Sequence, residues 1–311
     1  MTADNEAKAR LRGIFNITVT PFGTDGGIDF GGLADSIERL IGMRFDGLLI
    51  GGTYGEFPAM TTDERTALFR RVMDVVRNRI PVLLCSAHSD PRVARELTEL
   101  ATALGGIPMV TPPFVSEVTD EQIVAFFRAL APVSGGRLVI YNAPGVGITL
   151  SARLIERLSD LDHVIGLKQG DLTPTVIDEL SNRLSGKIRL FCASDLAFLG
   201  PLTAGFDGLS STNSCALPEV ILATYRAIEA GDARTAIRLH KSWFAYRELA
   251  RRFGQPQTVK AAMTLRGWAG GSVRAPLLPL TEAQSDDLRK ILPSILADAQ
   301  PAQDRLKRVH A

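Results

Sequence analysis

The sequence predicts a (β/α)8 TIM barrel followed by a C-terminal helical extension, and three observations lead there. Short runs rich in Val, Ile and Leu recur along the chain, each followed by a turn and a longer segment with helical periodicity. The runs are continuously apolar rather than alternating, as expected for strands of a parallel sheet covered on both faces. There are eight of them, the number of right-handed strand-helix units that closes naturally into a barrel. A doubly wound open sheet is the alternative, but the Gly-x-Gly-x-x-Gly turn that usually follows its first strand is absent.

The predicted strands are Phe15 to Thr20, Gly47 to Gly51, Val82 to Ala87, Ile107 to Pro112, Leu138 to Asn142, Val164 to Lys168, Ile188 to Ala193 and Gly208 to Ser211. Between them the helix starts are explicit. Thr61 with Glu64, and Thr119 with Gln122, have capping-box spacing, and Asp90 before Pro91 reads as an N-cap followed by a first-turn proline. In the helix after Thr61, Leu68, Val72, Val75 and Val76 form one apolar stripe, while Arg70, Arg71, Asp74 and Arg77 lie elsewhere around it. The barrel is assigned to residues 13–230. From 231 to 311 the segments "TAIRLHKSWFAYRELARRF", "TVKAAMTLRGWAG" and "EAQSDDLRKILPSILADA" read as further helices packed on it.

Composition narrows the partners. With 45% hydrophobic and 22% charged residues in 311, the chain has ample material for a core. Lys plus Arg (35) nearly balance Asp plus Glu (34), which leaves no large basic field for nucleic acid or anionic lipid and favours a small-molecule substrate. No run of 18 apolar residues exists for a membrane span, and the polar opening "MTADNEAKAR" lacks the apolar core of a signal peptide. Cys85, Cys192 and Cys215 are too few and too scattered for a disulfide framework and read as buried thiols, so a cytoplasmic setting is expected. His88, His163, His240 and His310 show no metal-ligand spacing. No Gly-x-Ser-x-Gly elbow marks a hydrolase.

In such a barrel the active site lies at the C-terminal ends of the strands. Three groups fall there. Lys168 ends the sixth strand; pointing into the barrel it would lie in low dielectric, where the ammonium is disfavoured and the neutral amine attacks carbonyls. Alternatively it reaches solvent or pairs with Asp171. Tyr141 ends the fifth strand and could move the protons that carbinolamine formation and dehydration require, or be a structural tyrosine with its hydroxyl satisfied. "GGTYGEF", residues 51 to 57, follows the second strand. There Thr53 and Tyr54, flanked by Gly52 and Gly55, offer backbone N–H groups suited to a carboxylate. A phosphate loop would need Lys-Ser/Thr after its last glycine, where this stretch has Glu56-Phe57. Glu56 is either a rim acid or a buried carboxylate accepting backbone N–H bonds. His88 would sit at the rim after the third strand, as a substrate contact or as an ordinary loop histidine.

Four segments, "ITVTPFGTDGGID", "GTYGE", "YNAPG" and "GLKQGD", occur in the order of the motifs of one family. Through them the chain resembles the dihydrodipicolinate synthase/N-acetylneuraminate lyase family of class I aldolases, over about Gly13 to Leu280. The resemblance implies a TIM barrel, assembled as a homotetramer or homodimer, in which a lysine condenses with pyruvate or another 2-oxo acid. The chemistry would run through a covalent imine on Lys168 with no cofactor and no metal. By the same resemblance Tyr141 is the proton shuttle, Thr53 relays protons, and the loop Gly52, Thr53 and Tyr54 holds the 2-oxo acid carboxylate. Asp195 would lie near the distal end of substrate, and the Ser210 carbonyl would line the pocket.

The departures shape the expected reaction. Val146 stands where dihydrodipicolinate synthases carry an arginine for the aldehyde's carboxylate, and Phe114 where they lend a tyrosine from a neighbouring subunit. Tyr54 replaces a small hydroxyl, and Ala193 a common glycine. Aldolase or dehydratase chemistry on a sugar-acid-like or aromatic 2-oxo acid is therefore expected ahead of 4-hydroxy-tetrahydrodipicolinate synthesis from pyruvate and aspartate semialdehyde. Cyclic imino acid deamination is a further family chemistry. A 2-oxo acid sensor without turnover is the non-enzymatic alternative, against which the retained Lys168, Tyr141 and Thr53 argue.

Overall fold

A computed structural model describes the backbone of residues 3–309 and side chains between 6 and 299; His310 lies outside the described residues. The eight strands are β1 (Gly13–Ile17), β2 (Gly47–Ile50), β3 (Val82–Cys85), β4 (Ile107–Val110), β5 (Leu138–Asn142), β6 (Val164–Gln169), β7 (Arg189–Cys192) and β8 (Gly208–Ser211). All neighbouring pairs are parallel, and β1 pairs with β8, so the sheet closes into a barrel in sequence order. The open-sheet alternative is excluded.

Helix α1 (Ala3–Arg10) precedes the barrel. The strands are followed in turn by α2 (Phe30–Gly42), α3 (Thr62–Val76), α4 (Pro91–Ala103), α5 (Asp120–Ala129), α6 (Ala152–Leu158), α7 (Pro174–Leu184), α8 (Leu199–Thr203) and α9 (Pro218–Glu229). Both capping boxes form, at Thr61 and Thr119, and Asp90 caps α4 by accepting from the Arg92 N–H. On α3 the stripe Leu68, Val72, Val75 and Val76 is buried as its spacing requires. The same helix buries Arg65, whose guanidinium donates to the Cys85 and Ala87 carbonyls and so satisfies the upper end of β3.

β5 and β8 fall where predicted, and the limits of the other strands shift by at most three residues. β1 begins earlier and stops at Ile17, because beyond it Thr18 and Thr20 turn to side-chain bonds with Asn16 Oδ1 and the Gly55 carbonyl. β2 stops before Gly51, whose φ of 64° breaks the extended chain. Inside the barrel, glycine opposite phenylalanine lets large rings fit. Gly47 pairs with Phe15 and Gly208 with Phe191, and the two rings meet edge to face at 5.0 Å. A Cβ on Gly47 would sit 2.3 Å from the Phe15 ring.

The extension comprises α10 (Ala233–Ser242), α11 (Phe244–Phe253), α12 (Gln255–Leu265) and α13 (Glu282–Val309). The first segment, read as continuous, breaks at Trp243 into two helices. Gly254, at φ 94°, then turns the chain between α11 and α12 and brings the start of α12 over the barrel mouth. Helix α13 packs on α9, α11 and α12. Among the described residues no helix is long and apolar enough to cross a membrane.

Candidate active site

Lys168 and Tyr141 are register partners on adjacent strands, so both side chains face the barrel interior at the same level. Lys168 is 3% exposed, and its Nζ lies 4.1 Å from the centroid of the Tyr141 ring. The solvent-exposed and Asp171-paired alternatives both fail. Asp171 instead accepts from the Thr173 N–H and helps start α7. Burial lowers the lysine's pKa to about 8, against a smaller upward pull from Cys85, Cys192 and Asp195. The amine, resting against an aromatic face, is therefore about one-tenth neutral at pH 7, far more than an ordinary lysine.

Tyr141 is equally buried, and its hydroxyl lies 2.7 Å from Thr53 Oγ1. Burial raises its pKa to about 12, with the Thr53 bond opposing. The phenol is thus a neutral group hydrogen-bonded to a second hydroxyl, an arrangement through which a proton can be passed between strands β5 and β2. Asn142, next to Tyr141, ties this end of β5 down. Its amide bonds the Gln169 side chain and both backbone groups of Leu150, closing the "YNAPG" loop on itself.

The "GGTYGEF" segment folds as two short 3-10 turns, Thr53–Gly55 and Phe57–Ala59. The first leaves the Thr53 and Tyr54 N–H groups without an acceptor inside the turn. A Cβ on Gly52 would lie 2.7 Å from Leu49 Cδ2, so a larger residue there would displace the end of the Leu49 side chain. Glu56 is a buried strut. It holds the left-handed conformation at φ 62°, its carboxylate bonds Lys260 Nζ at 2.5 Å, and it accepts the Arg274 N–H at 2.9 Å. The backbone bond matches the sequence reading; the ion pair to α12 does not appear in it.

Asp195 and the side chain of Ser210 are engaged internally. Asp195 is 2% exposed, and its carboxylate accepts from Ser211 Oγ, the Asn213 N–H and Asn213 Nδ2. Burial pushes its pKa up and these three bonds pull it down. Ser210 is buried on β8 with its hydroxyl donated to the Cys192 carbonyl, so its side chain is committed to the sheet. His88 is a loop histidine whose Nδ1 accepts the Asp90 N–H. All three cysteines are free and buried, and no group of potential metal ligands clusters among the described residues.

Four residues at this end of the barrel escaped the sequence reading: Gln255 and Lys260 on α12, Asn213 after β8, and Arg274 beyond α12. Lys260 left a signal, a lysine between Val259 and the apolar pair Ala262 and Met263, which demands a buried partner. The Gln255 amide bonds Tyr54 and Asn213, contacts with no local signature.

The comparisons agree with this geometry. The model of the dihydrodipicolinate synthetase family matches residues 10–295. The chain is 31% identical, over 90% of its length and 96% of the relative's, to the Halalkalibacterium halodurans protein named 4-hydroxy-tetrahydrodipicolinate synthase 2. Among solved structures, the Bacillus anthracis dihydrodipicolinate synthase DapA-2 matches with TM-score 0.85 and 28% identity, covering 91% of this chain and 98% of that one. The E. coli K12 prophage protein YagE, solved in complex with pyruvate, matches with TM-score 0.85 and 26% identity over 92% and 98%. A buried lysine under a tyrosine-threonine hydroxyl pair, in a closed barrel that the family model spans almost end to end, means that the chain belongs to the dihydrodipicolinate synthetase family and is a class I Schiff-base lyase.

Proposed function

We propose that the protein is an aldolase or dehydratase acting on a 2-oxo acid with a sugar-acid-like or aromatic tail, through an imine on Lys168. The observation that carries this reading is Lys168 itself, buried without a carboxylate partner and set against Tyr141, with Thr53 bonded to the tyrosine hydroxyl. The Thr53 and Tyr54 amides, which have no acceptor within their turn, take the substrate carboxylate in this reading. The neutral amine attacks C2, and the carbinolamine loses water as its oxygen takes a proton supplied through Tyr141 and Thr53. From the resulting iminium, the C4 hydroxyl loses its proton and the C3–C4 bond breaks to give an aldehyde and an enamine, the bonding pair passing to the iminium. Alternatively a C3 proton is lost, its pair passing to the iminium, and the enamine so formed expels the protonated C4 hydroxyl as water.

Synthesis of 4-hydroxy-tetrahydrodipicolinate is the second reading, favoured by the names of the relatives. Against it stand Val146, which offers a carboxylate no donor, and Phe114, which packs against Gly147 of its own chain and carries no hydroxyl. Deamination of a cyclic imino acid uses the same lysine and has no feature here that favours it. A homotetramer or homodimer is consistent with Val115, 57% exposed beside Phe114. The free cysteines fit a reducing, cytoplasmic setting.

The test is borohydride reduction in the presence of pyruvate, read as a mass shift on the intact protein. The expected result is one adduct on the wild type and none on Lys168→Ala. An adduct that survives Lys168→Ala overturns the assignment. A screen of 2-oxo acids for pyruvate release or loss of water then identifies the reaction.

A further inference from the structure

We propose that Gln255, carried by the C-terminal extension, is a positioning residue for substrate specificity. It orients the Tyr54 phenol as a donor to a neutral oxygen on the substrate's tail and so selects hydroxylated 2-oxo acids over those bearing a second carboxylate. The inference rests on the Schiff-base reading above and specifies the part of the substrate that reading leaves open.

The direction of the hydrogen-bond chain can be followed from its buried end. Asp195 Oδ2 accepts from Ser211 Oγ at 2.6 Å and from the Asn213 N–H at 2.8 Å, and Oδ1 accepts from Asn213 Nδ2 at 2.6 Å. Three donors on two oxygens suit an ionised carboxylate, which only accepts. The Asn213 amide must therefore present its nitrogen to Asp195. Its Oδ1 is buried with no hydrogen-bond partner, so nothing on the other side competes to turn the amide round.

The same Nδ2 reaches Gln255 Oε1 at 2.9 Å. With a donor on that side, Gln255 must show its oxygen to Asn213 and its nitrogen to the barrel mouth, where Nε2 donates to Tyr54 Oη at 3.3 Å. The phenol oxygen is thereby an acceptor toward Gln255, and its own proton is directed elsewhere. Gly254 makes this reach possible, because its φ of 94° ends α11 and starts α12 with Gln255 as the first residue.

Tyr54 is half-buried in the rim loop next to Thr53, and with Gln255 donating to its oxygen its proton can be offered to a substrate at the mouth. Burial, with Asp195 and Tyr141 nearby, holds its pKa at about 12, and it stays a neutral donor at physiological pH. No lysine or arginine is among the groups acting on it. A carboxylate brought there would meet one neutral donor and the field of Asp195, without a cation at Val146. A hydroxyl or carbonyl oxygen would find the donor without the repulsion.

The experiment is borohydride trapping on Lys168 with three 2-oxo acids: pyruvate, which has no tail; 2-oxo-3-deoxygluconate, whose tail is hydroxylated; and 2-oxoglutarate, whose tail ends in a carboxylate and carries no hydroxyl. The half-saturating concentration of each is read from adduct mass. Wild type should show a value for the hydroxylated acid at least ~10-fold below that for the dicarboxylic acid, the scale of one net hydrogen bond. Gln255→Glu keeps the shape but can only accept, so it takes the phenol's proton. It should raise the value for 2-oxo-3-deoxygluconate ~10-fold or more relative to pyruvate. If that variant does not fold, Tyr54→Phe should give the same loss of the ratio. Equal trapping of the two tailed acids by wild type, or an unchanged ratio in whichever variant folds, overturns the inference while leaving the Schiff-base reading intact. Absence of any pyruvate adduct in wild type removes both.

Discussion

Lys168 brings the energetic tension of the site down to one residue. An ordinary lysine titrates near 10.5, and burial brings this one to about 8. Below pH 8 the folded protein must hold a buried ammonium. In the window from 8 to 10.5 the unfolded chain binds more protons than the folded one, so stability rises with pH across it. Lys168→Met should accordingly be more stable than wild type at neutral pH by roughly 3 kcal/mol, with the gain vanishing above pH 10.5, as measured by denaturant unfolding at several pH values. Reactivity has the same origin. The rate of pyruvate trapping should rise about tenfold per pH unit below 8 and level off above it, because only the neutral amine attacks. Tyr141→Phe preserves the ring against Lys168 and removes the hydroxyl bonded to Thr53; imine formation in single-turnover trapping should slow by about 10²-fold.

The rim loop shows how a short element is held in an unfavourable shape. Glu56 adopts a left-handed backbone that a non-glycine residue avoids, and it does so where Lys260 and the Arg274 N–H grip both carboxylate oxygens. Lys260 also donates to the Ser272 carbonyl, so α12 and the chain beyond it clamp the loop that carries Thr53 and Tyr54. Both ion-pair side chains are 2% exposed. Removing one partner leaves a buried charge unmatched, and Lys260→Met should cost about 3–5 kcal/mol in urea unfolding. The double variant with Glu56→Gln should lose less than the sum of the two singles, because the second change no longer strands a charge. Additive losses would mean that the two residues act independently.

At the scale of the molecule, strands β2, β5 and β6 bring Thr53, Tyr141 and Lys168 together. On the proposed reading, the loops carrying Phe114 and Val146 and the extension carrying Gln255 decide what the rest of the mouth admits. Wild type should therefore give no appreciable condensation of pyruvate with aspartate semialdehyde in a coupled assay, and robust turnover there would overturn the reading of Val146. Val146→Arg supplies the missing bidentate partner and should raise that activity by about tenfold or more.

The architecture was largely legible in the chain, since barrel strands and capped helices leave local marks. Continuous apolar runs, capping pairs and the apolar stripe on α3 are properties of neighbouring residues, and they recur in the folded molecule with limits shifted by at most three positions. Lys168, Tyr141 and Thr53 were legible as candidates for a related reason: each lies within the last two residues of a strand or in the loop after one, and a parallel barrel gathers those ends at one face. The break at Trp243, the ion pair between Glu56 and Lys260 and the bond between Gln255 and Tyr54 were not. The last two join residues about two hundred positions apart, and no local pattern encodes the distance between such groups. By itself the sequence determined the barrel and marked Lys168, Tyr141 and Thr53 as candidates at its mouth. Only the tertiary structure decided that Asp195 points into a buried hydrogen-bond chain and that the extension reaches the Tyr54 phenol, because those facts depend on which distant polar groups packing leaves facing one another in a low-dielectric interior.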